Sequence, residues 1–119
     1  MLTQLRIQNF KGWKDTGSIR MAPITLFFGA NSSGKSSIGQ FLMLLKQTVE
    51  SQDRKAVLFP GGKNSAVQLG SFQDMIYGRK TENQLEFSYD WTLPSGLSIS
   101  DPLTYKSYLA ESVSFNCKI

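Results

Sequence analysis

The 119-residue chain is long enough for one domain with a modest core and too short for two. Its 40% hydrophobic and 18% charged residues exclude a disordered tail, and its formal charge of +4, scattered from Arg6 to Lys118 without a run, favours anionic partners only weakly. No stretch approaches the roughly 20 apolar residues of a membrane span, the chain opens without a basic-then-apolar leader, and Cys117 has no partner for an internal disulfide, so a reducing, cytoplasmic setting is expected.

From Leu2 to Phe10 apolar and polar residues alternate, with Leu5 and Ile7 on one face and Arg6 and Gln8 on the other, which predicts a half-buried strand. A turn at Lys11-Gly12 leads to a second strand within Gly17 to Met21. The short connection makes the pair antiparallel, a hairpin. After Pro23 the run Ile24-Thr25-Leu26-Phe27-Phe28 reads as a strand covered on both faces, the expected centre of the sheet. Beyond a glycine-rich turn, Ile38, Phe41, Leu42, Leu45 and Val49 mark the inner face of a helix from about Lys35 to Glu50.

Residues 51–66 contain polar and charged side chains and then Pro60-Gly61-Gly62, with no sustained period, and read as a surface loop. Ser71 is a candidate N-cap for a short helix or turn to Tyr77 that points Phe72, Met75 and Ile76 inward. From Gln84 to Leu93 the alternation is unbroken, with Leu85, Phe87, Tyr89, Trp91 and Leu93 on one face. Pro94-Ser95-Gly96 supplies a turn into a partner carrying Leu97 and Ile99, and Val113, Phe115, Cys117 and Ile119 repeat the pattern. Residues 67–119 are therefore expected as an antiparallel meander, and residues 1–50 as strands, glycine loop and first helix. The fold class is α/β.

The chemistry sits in Gly29-Ala30-Asn31-Ser32-Ser33-Gly34-Lys35-Ser36, which matches G-x-x-x-x-G-K-[ST]. Its glycines let successive backbone N–H groups turn inward around phosphate oxygens. Lys35, the candidate catalytic cation, reaches the β and γ phosphates from the positive end of the helix, and Ser36 places its hydroxyl on magnesium. Ser37 completes the candidate nucleotide-binding stretch. A buried strand before the motif and an amphipathic helix after it are the context such a loop requires. The ligand expected is ATP with Mg2+.

Lys11 and Trp13 offer a cation for phosphate and an aromatic face for adenine, against the plainer reading of a turn lysine and a partly buried tryptophan. Gln73 is a candidate contact to magnesium or to an attacking water, against a plain surface glutamine. No apolar strand ending in Asp or Glu follows Ser36, so the acidic partner that hydrolysis ordinarily needs is missing. With no histidine and one cysteine, the chain by itself holds neither a zinc site nor a Cys-His nucleophile.

The run Leu5-Arg6-Ile7-Gln8-Asn9-Phe10-Lys11-Gly12-Trp13, followed by Met21-Ala22-Pro23-Ile24-Thr25-Leu26-Phe27-Phe28-Gly29 and the loop through Ser37, resembles the N-terminus of SMC-like ABC ATPases. That group includes the recombination-repair, RecF-type and OLD-nuclease ATPases and many bacterial AAA-type proteins linked to phage defence. Leu69-Gly70-Ser71-Phe72-Gln73-Asp74-Met75-Ile76-Tyr77-Gly78 is similar to a segment after the first helix in one bacterial branch. The resemblance implies a P-loop NTPase fold of the ABC head-lobe type, with a mixed sheet, and ATP held between two heads. The implied partners are a second copy or a missing C-terminal lobe, and DNA or a nuclease.

By residue, Asn31, Gly34, Lys35 and Ser36 carry over, and Lys11 and Gln73 less directly. The signature segment and the downstream acidic pair have no counterpart here, so a fragment or separately encoded first lobe is expected, binding ATP but hydrolysing it only when completed. The alternative is a non-hydrolysing interaction or DNA-binding module with a vestigial loop. A small-molecule kinase or GTPase fits less well, because the hairpin before the loop does not suit those folds and no Asn-Lys-x-Asp motif is present.

Overall fold

The computed structural model describes residues 1–30 and 34–119. The first strand, β1, runs over Leu2–Phe10 and buries Leu5 and Ile7 on one face, as the alternation requires. Asn9 breaks the two-residue period by adopting φ 60°. Phe10 thereby joins the buried face and is fully enclosed. Two short strands follow, β2 (Trp13–Asp15) and β3 (Ile19–Arg20), both antiparallel to β1, with Phe10 opposite Trp13 and Gln4 opposite Arg20. The expected hairpin is present, but its return arm is split. Gly17 takes φ 66°, and the Thr16 hydroxyl accepts the Ile7 N–H at 3.0 Å where a continuous strand would have supplied a carbonyl.

The main helix, α1, spans Lys35–Glu50, and its inward residues are Ile38, Phe41, Leu44 and Gln47. Leu42 and Leu45 are half-buried against the core, whereas Val49, expected to face inward, is 86% exposed. Phe41 anchors the helix on the sheet. Its ring stands edge-on to both Phe10 and Phe87, each at 5.1 Å between centroids, and burying such a side chain contributes about 1.5–3 kcal/mol.

A single-turn helix, α2 (Phe72–Met75), follows Ser71, whose N–H and hydroxyl both donate to Asp74 Oδ2 at 2.9 Å. Ser71 is the expected cap, and Met75 and Ile76 are buried. The last two strands, β4 (Glu86–Ser100) and β5 (Ser107–Lys118), pair in the register of the two predicted alternations: Phe87 lies opposite Cys117, Tyr89 opposite Phe115 and Trp91 opposite Val113. Glu86 and Lys118, also opposite, close an ion pair at 2.7 Å. Among the described residues the strands form one antiparallel sheet, with β4 between β1 and β5, and β2 and β3 on the far side of β1.

Two expectations are corrected here. Ile24–Phe28 forms no strand, and Ile24 and Phe28 are 82% and 89% exposed. The cause is topological. A central strand needs neighbours on both sides, and no described strand pairs with this segment. Locally, the Thr25 hydroxyl bonds the N–H and C=O of Ala22 at 3.0 and 3.1 Å, a turn that competes with extended pairing.

The second correction concerns Pro94-Ser95-Gly96, which does not reverse the chain. The register shifts between Thr92 and Leu97 and β4 continues through a bulge, so the expected meander is one long hairpin. The reversal comes at Asp101, whose carboxylate accepts the Leu103 N–H at 2.8 Å and the Thr104 hydroxyl at 2.9 Å. Asp101-Pro102 is the stronger turn signal, because an Asp side chain can bond its own backbone two residues on.

Candidate functional site

The glycine-rich loop starts at the exposed Gly29 and Ala30 and ends at Gly34, the N-cap of α1. Asn31, Ser32 and Ser33 lie outside the described residues. Gly34 adopts φ 89° and ψ 2°, a left-handed conformation, and a Cβ placed there would stand 2.7 Å from Trp13 Nε1. Glycine is required at this position on both counts. The Gly34 carbonyl accepts the indole N–H of Trp13 at 2.8 Å and the Ser37 N–H at 3.1 Å.

Lys35 is the first residue of α1, and its ammonium donates to the Gly29 carbonyl at 2.6 Å, linking the two ends of the loop. Ser36 is exposed beside it, and Ser37 is half-buried. No acidic side chain occupies the first turn of α1, and a glycine N-cap brings no side-chain acceptor for the first amides. Among the described residues of that turn no carboxylate offsets the partial positive charge of the helix end, and an ammonium stands next to it. Such an arrangement suits a polyanion bound through several oxygens at once.

The turn between β1 and β2 reaches this loop on one side and α2 on the other. Trp13 touches Gly34, while the Lys11 N–H donates to the Met75 carbonyl at 2.6 Å and Phe10 bridges to Ile76. Lys11 and the helix bearing Gln73 are thus joined to the turn that carries Trp13. Among the described residues, neither the Lys11 ammonium nor the exposed Gln73 side chain hydrogen-bonds to Gly29, Ala30, Gly34, Lys35 or Ser36. Trp13, weighed from sequence as a face for adenine or as a partly buried tryptophan, is partly buried and holds loop backbone. Its only advance signal is that an indole N–H at a packed position needs an acceptor.

The nearby carboxylates are committed elsewhere. Asp74 is held below the ordinary carboxylate range by the Ser71 backbone N–H and hydroxyl. Asp15 is lowered to about 2 by its hydrogen bonds from Arg6 and from the Gly17 N–H, and Arg6 is raised in turn by Asp15. No group of three or more His, Cys, Asp or Glu placed to hold a metal occurs among the described residues. The donor set at the loop, an ammonium, the amides of the helix start and a hydroxyl, fits a ligand that brings its own negative oxygens.

A family model for the AAA ATPase domain matches residues 1–99. The chain belongs to this family. Comparison with curated proteins returned no match, and comparison with solved structures returned none either. The AAA ATPase domain match covers β1, β2, β3, the glycine loop, α1, α2 and nearly all of β4, and β5 lies beyond it. Membership carries ATP binding as the general property of an AAA ATPase domain, typically with Mg2+, and the loop's donors fit that ligand. No described helix is long and apolar enough to cross a membrane.

Proposed function

We propose that Gly29–Ser36 is a P-loop, a Walker A motif that holds the phosphates of ATP with magnesium, and that the chain is the N-terminal lobe of an SMC-like ATPase head. The observation that carries this reading is the Lys35 ammonium, at the open N-terminus of α1 and 2.6 Å from the carbonyl that begins the loop. A phosphate oxygen would replace that carbonyl, with the amides of the helix start and the exposed Ser36 hydroxyl available to the same ligand. Magnesium-ATP supplies the phosphoanhydride and the metal charge. Lys35 neutralises the phosphates, Ser36 offers its hydroxyl to the metal, and the glycines keep side chains out of the cradle.

On this reading Lys11 and Gln73 belong to the outer flank of the site, and the acidic group and water-positioning group for hydrolysis come from a companion lobe. The completed head would couple ATP binding and hydrolysis to dimerisation and to action on DNA or a partner nuclease, in repair or phage defence. Open apolar surface supports a missing cover: the exposed Ile24–Phe28 segment, and a groove of about 720 Å³ between α1 and the face of β4 and β5, lined by Leu45, Phe87, Tyr89, Val113 and Phe115.

Titration of the chain with mant-ATP and magnesium, with Lys35→Ala as the control, tests the central claim. Losing a charge-assisted contact of about 1.5–3 kcal/mol predicts at least a tenfold weaker affinity for the variant. Equal affinity for the two forms removes the reading.

A further inference from the structure

We infer that Trp13 is a positioning residue for the phosphate loop: its indole N–H fixes the Gly34–Lys35 peptide plane so that the Lys35 amide points into the cradle. The inference rests on the reading of Gly29–Ser36 as a phosphate loop and adds a residue outside the motif to that site. Three observations carry it. The bond from Trp13 Nε1 to the Gly34 carbonyl is 2.8 Å long and joins residues 21 apart in sequence. The Gly34 carbonyl already has a helix partner in the Ser37 N–H, so it does not depend on this bond for satisfaction, and Trp13 is only partly buried against the core. What the bond adds is direction. In a trans peptide the C=O and the following N–H point oppositely, so tethering the Gly34 carbonyl to the indole holds the Lys35 N–H in the opposite sense, out of the N-terminal end of α1.

The tether is mounted on a rigid base. Trp13 pairs in β2 with Phe10, which is fully buried, and the intervening Lys11 N–H is tied to Met75. The indole also fills the space that a Cβ at position 34 would take. One side chain thus both aims the peptide and excludes every residue but glycine. Trp13 also packs against the core, and what marks it out from a merely structural ring is that its N–H addresses loop backbone.

The test uses the chain's two tryptophans, Trp13 and Trp91. Magnesium-ATP affinity is measured by calorimetry for the wild-type, Lys35→Ala and Trp13→Phe chains, each with its thermal midpoint. Indole emission is followed during ATP titration in Trp91→Phe, where Trp13 is the sole reporter, with and without Lys35→Ala. The expected result is that Trp13→Phe, which keeps an aromatic ring and loses the N–H, weakens ATP binding about two- to tenfold, the range of one hydrogen bond, with the midpoint held. Trp13 emission should change saturably with ATP and stay constant in the Lys35→Ala background.

If Lys35→Ala weakens binding but Trp13→Phe binds as the wild type does and Trp13 emission ignores ATP, the inference is overturned and the phosphate loop stands. If the wild type does not bind ATP, or Lys35→Ala binds equally well, both fall. Should Trp13→Phe fail to fold, the emission of native Trp13 in Trp91→Phe decides alone.

Discussion

The side-chain amide of Gln47 and the backbone of Val67 grip each other at both ends: Nε2–H donates to Val67 O at 3.2 Å, and Oε1 accepts the Val67 N–H at 3.4 Å. Nε2 also donates to Phe59 O at 2.9 Å, so one buried polar residue on α1 pins the connection that follows it. Gln47→Leu leaves those backbone groups without partners and is expected to cost about 1–3 kcal/mol, read as a lower urea midpoint at unchanged slope. An unchanged midpoint would show that the connection is held by something else.

Gly34 allows a sharper experiment, because its two constraints separate. Gly34→Ala meets both the left-handed backbone and the Trp13 ring, and should lower the thermal midpoint and abolish ATP binding. In a Trp13→Ala background the steric part disappears while the backbone part, about 1 kcal/mol, persists. The two substitutions should therefore be less than additive in the midpoint. Strict additivity would mean that the ring and residue 34 do not meet.

Acid sensitivity follows from Asp15. Its folded value of about 2 lies below the ordinary 3.8, so its contribution to stability is complete above about pH 3.8 and is lost as pH falls toward 2. Asp15→Asn should flatten the fall of the thermal midpoint across that window while changing little at neutral pH, where an exposed pair contributes weakly and is screened by salt. A variant that falls as steeply as the wild type would assign the acid response to Asp74 and Asp101, which are shifted in the same direction.

The helix face can be tested by a matched pair. Phe41→Ala removes the ring between Phe10 and Phe87 and should cost about 3–5 kcal/mol. Val49→Ala, at a position the apolar spacing alone would have placed in the core, should stay within about 0.5 kcal/mol. Comparable losses at the two sites would mean that the helix sits on the sheet in another rotation.

These residues also show how far the sequence is legible. The spacing of Ile38 and Phe41 identifies the helix and its general face, but the inward line then follows Leu44 and Gln47 instead of Leu45 and Val49, because a polar side chain with three backbone partners outranks an apolar one with none. Local patterns located β1, α1, α2 and the alternations of β4 and β5, since each is written in consecutive residues. Ile24–Phe28 does not form the expected strand because a covered strand depends on partner strands supplied from elsewhere in the fold, and composition does not record those. At the loop, Lys35 and Gly34 were legible from the motif. The reach of Trp13 to Gly34 was not, since it arises from a pairing between β1 and β2 that aims one ring across the turn.

Thr3 donates its hydroxyl to Asp90, 87 residues away along the chain, and β1 from Leu2 to Gln8 finds its inner neighbour in β4. Contacts this distant in sequence close late and slowly during folding. On the ribosome β1, the glycine loop and α1 would emerge well before β4 can cover Leu5, Ile7 and Phe41. During that interval Leu5, Ile7 and Phe41, buried in the finished fold, are open to contact with other chains, which makes the time between synthesis of the first and last strands the period of greatest aggregation risk.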